Sequence, residues 1–179
     1  VSQIEISEVR SRADRTAFIK FPWKVYKHDP AWVPPLILER REFLDRKKHP
    51  FYQHGDAALF LARRKGEIVG RIMASDDSNY NALHQTNAGC FGLFDCIEDT
   101  DVSTRLFEAA INWLRHRGRT EVMGPIDYST NYVCGLLIDG FEHSPMLLTA
   151  HNPPYYGNLI EHSGFTKVTD WYAWWFDDF

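Results

Sequence analysis

Between Asp127 and Cys134 the chain reads Asp-Tyr-Ser-Thr-Asn-Tyr-Val-Cys; Asp127, Tyr128, Ser129, Thr130, Asn131 and Cys134 have side chains suited to hydrogen-bonding a small polar ligand, with Ser129, Thr130 and Asn131 the candidate substrate contacts. Such a cluster in a long connection is a candidate binding loop, and it is also ordinary turn chemistry. Upstream, Asp95 follows the apolar run Cys90-Phe91-Gly92-Leu93-Phe94, with Glu98 just beyond. Either carboxylate suits a proton acceptor and equally a charge at a strand end. Tyr155 and Tyr156 follow Pro153-Pro154 and offer hydroxyls or packing surface. Nucleophilic hydrolysis is not signalled: neither Ser129 nor Cys134 sits in a Gly-x-Ser-x-Gly pattern, and no His is tied to them by spacing. Cys90, Cys96 and Cys134 form no Cys-x-x-Cys pair and have no His at zinc-binding spacing, so free thiols and no metal are expected.

The composition narrows the class of protein. Twenty Lys+Arg against 24 Asp+Glu give a formal charge of −4 and a pI near 6.1, which lacks the basic footprint of a general nucleic-acid binder. No apolar run is long enough to cross a membrane, and the first residues lack the pattern of a signal peptide, so a cytoplasmic location is expected, with neither membrane nor nucleic acid as partner. Aromatic residues make up 15% of the chain. Together with the start at Val1 and the stop at Phe179 inside an aromatic run, they suggest a whole domain cut from a longer protein.

The elements that must position these residues alternate. Ile4 and Ile6 mark a strand, and Ala17 to Phe21 a helix ended by Pro22. Residues 36–48 form a charged helix or turn whose acids and bases interleave, for example Glu42 with Arg46. Residues 57–63 and 67–74 make a hairpin joined by Arg64-Lys65-Gly66, with Gly66 suited to a positive φ. The next strand, Cys90 to Cys96, has glycines at 89 and 92, where a bulge or a close backbone approach is expected. An apolar stripe of helical period, Val102, Leu106, Ala109, Ala110, Trp113 and Leu114, follows, with Thr100 or Asp101 as cap and Gly118 at the end. Strands at 120–126 and 145–150, a helix at 155–163 opened by Pro153-Pro154, and a long strand at 165–176 complete the order. The fold class is α/β: one domain over residues 1–179 with a mixed, mostly antiparallel central sheet and helices on both faces.

This order, and the Asn152 to Phe165 segment in which an Asn precedes a helix ending in Gly164-Phe165, resembles the GNAT-type (GCN5-related) N-acyltransferase domain. Segments such as Trp32-Val33-Pro34-Pro35-Leu36, Ser129-Thr130-Asn131 and Asn152-Pro153-Pro154-Tyr155-Tyr156 are similar to the N-terminal half of uncharacterised bacterial GNAT-like proteins about twice this length. The resemblance implies a transferase that moves an acyl group from acetyl-CoA or another acyl-CoA to a small amine. It also implies Asp95 as base, Tyr156 as acid, and Phe94, Cys96, Val102, Ser103, Thr104 and Asn152 as contacts to the coenzyme.

Two departures from the family pattern bear on that reading. The glycine-rich pyrophosphate loop is replaced by Glu98-Asp99-Thr100-Asp101, whose carboxylates would repel the pyrophosphate. The family's helix Tyr is Ile160 here, with Tyr156 one turn earlier. The alternative is therefore a non-catalytic GNAT-like half, structural or ligand-binding, that pairs with a second such domain or with another copy.

Overall fold

The computed structural model describes residues 3–174. Five strands, β1 (Ile4–Glu8), β2 (Gly55–Arg64), β3 (Glu67–Asp77), β4 (Ala88–Cys96) and β5 (Glu121–Met123), lie in one sheet in chain order. The pairs β1–β2, β2–β3 and β3–β4 are antiparallel, and β4–β5 is parallel. The β2–β3 hairpin turns at Lys65 and Gly66, both at positive φ, as a two-residue turn between right-twisted strands requires.

Alternation along β2 separates two cores. Ala58, Phe60 and Ala62 face α5 (Thr100–Arg115) and α6 (Tyr156–His162), whereas Ala57, Leu59 and Leu61 face α1 (Arg12–Lys20), α3 (Ile37–Phe43) and a 3-10 turn at Pro50–Gln53. Two short helices, α2 (Pro22–Val25) and α4 (Ser78–His84), complete the set. The expected class, a mostly antiparallel mixed sheet with helices on both faces, is what forms. α5 places Val102, Leu106, Ala110 and Leu114 fully inside the larger core. Each large apolar side chain so buried contributes about 1.5–3 kcal/mol relative to exposure.

Several local expectations need correction. Asp99, not Thr100 or Asp101, caps α5, accepting from the N–H groups of Asp101 and Val102 at 3.1 and 3.2 Å. Glu42 pairs with Lys48, while Arg46 reaches Asp56 on β2. No strand forms at 145–150, because no backbone among the described residues pairs with it there and Leu147 points into solvent at 91% exposure. The expected strand at 165–176 is likewise unpaired over 165–174, although Phe165 packs on Phe91 and Phe107; its last two residues lie outside the described range.

Candidate functional site

Only Ala88, Gly89 and Cys90 of β4 pair with β5. Ile126 then donates to the Phe91 carbonyl at 2.7 Å, and the chain turns away into a loop over 126–134, so among the described residues the rest of β4 has no strand on that side. Side chains occupy the open edge instead. Asp127 Oδ1 accepts from the Leu93 N–H at 2.8 Å, the Tyr156 hydroxyl accepts from the Cys96 N–H at 3.0 Å, and the Tyr155 hydroxyl donates to the Cys96 carbonyl at 2.8 Å. These bonds satisfy groups that would otherwise be orphaned.

A half-open cavity of about 630 Å³ lies against this edge, lined also by residues from α2, α3 and the irregular 133–152 segment. That volume is typical of a small-molecule site. Its floor is polar: Arg71 on β3 sits opposite Asp95 in the sheet register and binds Asp95 Oδ2 through Nε at 2.7 Å and Nη2 at 2.6 Å. The hydroxyls of Tyr26 and Tyr156 lie 2.9 and 3.0 Å from Asp95 Oδ1. Burial and the adjacent carboxylate push both phenols well above their ordinary range. Four donors thus converge on one carboxylate, which holds α2, β3, β4 and α6 together. Its rim is apolar, with Val33, Leu36, Met146, Leu147 and Leu148 all more than half exposed.

Of the residues singled out in the sequence, Phe94, Asp95, Asp127, Asn152 and Tyr156 line this cavity together. Asn152 is committed to the backbone, accepting from the Leu137 N–H at 2.8 Å and donating to the carbonyls of Leu137 and Pro153. Cys96, Val102 and Ser103 are buried in the larger core, and Thr104 is half-buried on α5; none of these four lines the cavity. Ser129 is half-buried, Thr130 and Asn131 are exposed, and none of the three lines it either. The N-terminus of α5 is occupied by Asp99, whose other oxygen binds Arg64 at 2.7 Å. Two of its N–H groups, those of Asp101 and Val102, are thereby already bound to a carboxylate.

The sequence reading missed Arg71, Tyr26 and the pair His151–Asp29, joined at 2.8 Å, of which His151 lines the cavity. Arg71 did leave a trace, as the single charge inside the apolar run from Ile68 to Ala74. A lone charge there implies a buried partner on the next strand. Tyr26 and His151 meet only through tertiary contact, their rings 5.9 Å apart.

No family profile matches the chain. Two curated bacterial proteins do: protein YghO of Escherichia coli, 39% identical over 165 residues, and bacterial ceramide synthase of Caulobacter vibrioides, 38% identical over 174 residues. The matches cover 92% and 97% of this chain but 42% and 45% of those proteins, so the chain spans less than half the length of these relatives. Among solved structures it resembles an aminoglycoside acetyltransferase from a soil metagenome, with a TM-score of 0.54 and 11% identity, over 97% of this chain and 95% of that one. A ribosomal-protein-alanine N-acetyltransferase of Brucella melitensis matches with a TM-score of 0.55 and 13% identity, over 98% and 99%. The chain has the fold of these acetyltransferases, as the element order predicted.

Proposed function

We propose that this domain serves N-acyl transfer from a coenzyme A thioester to an amine, and that the cavity beside β4 receives the amine. The carrying observation is the cavity's build, an apolar rim above a buried polar floor at the open end of β4. An apolar rim suits an amine with a long alkyl tail. The relative named a ceramide synthase supports the same chemistry, because a ceramide is an amide of a fatty acid and a long-chain amino alcohol. On this reading Asp95, saturated by Arg71 and two tyrosines, is a positioning residue rather than the base, and Tyr156 holds Asp95 and Cys96 rather than donating a proton.

The test is incubation with palmitoyl-coenzyme A and sphinganine, followed by mass spectrometry of the lipid and assay of released thiol. Amide and thiol in equal amounts are expected. Sphinganine recovered unchanged, with no thiol above the protein-free control, removes the reading.

A second reading is favoured by the occupied α5 N-terminus and by the side chains already bonded along β4. Here the domain binds the acceptor and leaves the coenzyme to another part of the protein or to a partner. It predicts that coenzyme A alone produces no heat of binding with this chain, whereas tight binding would return the whole reaction to it.

A further inference from the structure

We propose that Asp127 receives the ammonium group of the acceptor in this cavity and takes up the proton the amine must lose before acylation. The inference rests on the acyl-transfer reading for its chemistry, but the binding half stands on the structure alone.

Asp127 lines the cavity and is only 6% exposed. Its Oδ1 is bonded to the Leu93 N–H, while its second oxygen has no hydrogen-bond partner among the described residues. The loop that carries it is pinned from both sides. The Asp127 N–H donates to the Val133 carbonyl at 2.9 Å, the Gly135 N–H donates to Pro125 at 2.8 Å, and Ile126 bridges to Cys134. Next door, Tyr128 is buried in the smaller core with its hydroxyl 2.9 Å from that of Tyr52. Two non-glycine residues bracket the carboxylate at positive φ, Leu93 at 44° and Tyr128 at 62°, and strain of that kind is held where a site is shaped.

Charge counting gives the site its sign. The groups facing Asp127 are Arg40 from α3, Arg71 from β3, Asp95 from β4, and its loop neighbours Tyr128 and Cys134. Arg71 is matched by Asp95, and Arg40 by Glu39 through two bonds of 2.6 Å. Arg40 and Arg71 favour the Asp127 charge but are each paired elsewhere, so Asp127 keeps one oxygen that no donor among the described residues reaches and has no cation of its own. Such a group needs a cation or a proton, and an alkylammonium ion supplies both in succession. Burial pushes its pKa up from 3.8 to about 6, close to where a base must work near neutral pH.

The step balances as follows. R–NH3+ and the carboxylate become R–NH2 and the carboxylic acid. The freed lone pair forms the C–N bond to the carbonyl carbon of an acyl thioester, and the C–S bond breaks. The thiolate leaves with the second proton shed by nitrogen, giving amide and thiol, and Asp127 returns its proton to water.

The test compares octylamine with 1-octanol, which shares the chain but lacks the charge, by calorimetry on the wild type and on Asp127→Asn, a near-isosteric change. Wild type is expected to bind the amine at least about tenfold tighter, as befits a charge-assisted bond, and Asp127→Asn to erase that preference while binding octanol as before. Equal amine preference in both proteins overturns the proposal, as does a wild type with no preference. Because Asn removes a charge rather than volume, a matching circular dichroism spectrum keeps the comparison valid, and Asp127→Glu, which retains the charge, should keep part of the preference.

The proton-transfer half is read separately with palmitoyl-coenzyme A and sphinganine. There kcat/KM should fall by roughly 10²–10⁴, chiefly through kcat, with loss of the acid limb of the pH profile. An unchanged kcat and acid limb overturns the base role. Amine preference without any turnover would uphold the binding site and refute the acyl-transfer reading instead.

Discussion

At Asp127 the same desolvation that would make a useful base also makes the fold less stable. In the unfolded chain the carboxyl titrates at its ordinary 3.8, and in the fold at about 6. Between those values the folded state holds the proton that the unfolded state has lost, so stability falls as pH rises through this window and levels above it. Asp127→Asn removes that dependence. Urea denaturation is expected to show the variant more stable than wild type at pH 8 by on the order of 1–3 kcal/mol, with most of the difference gone at pH 4. A variant less stable than wild type at both pH values would mean that the charge is compensated in the fold. Arg71 and Asp95 contrast with it: there the charges meet at 2.6 Å on paired strands, and the pair serves architecture. That contrast was not legible in the sequence. Both carboxylates stand beside apolar residues, and only tertiary packing decides that four donors reach one and a single N–H reaches the other.

The elements divide by how local their causes are. The hairpin at Lys65-Gly66 and the stripe of α5 were legible because a turn pair and a 3.6-residue period act within a few residues. The segments 145–150 and 165–174 carry strand-like apolar residues, yet strands need partners, and no described strand lies beside them. Gly92 lies between these cases. A glycine inside a strand foretold a close approach, and the structure supplies it: a Cβ there would stand 2.3 Å from the Ile126 carbonyl oxygen and 2.7 Å from Asp127 Oδ1. Gly92→Ala must therefore push the 126–134 loop off β4. The expected cost is about 1–3 kcal/mol in denaturant unfolding, accompanied by weaker octylamine binding as Asp127 is displaced. Loss of stability with unchanged amine affinity would separate the loop's anchoring from the amine site.

For the molecule as a whole, the apolar surface is more than one cavity needs. Beyond the rim, Val168, Trp171, Tyr172 and Trp174 are all at least two-thirds exposed in a stretch that pairs with nothing described. Exposed patches of this kind mark interaction surfaces in folded proteins. The two curated relatives each extend over more than twice the matched length, which supports the reading in which this domain pairs with a second unit. On that proposal the two patches have different fates, the rim meeting the alkyl chain of an acceptor and the 168–174 stretch meeting protein. This separates in experiment. Sedimentation equilibrium of the 179-residue chain is expected to show mass above 20.9 kDa that grows with concentration, and Trp171→Asp with Trp174→Asp should return it to 20.9 kDa without altering octylamine affinity. Leu147→Asp should do the reverse, weakening long-chain amines while leaving association intact, because each buried methylene contributes about 0.8 kcal/mol and the rim is where that burial must occur. A chain that stays at 20.9 kDa at every concentration would show that the 168–174 aromatics do not join two copies, which leaves a different protein segment as their partner on the pairing reading.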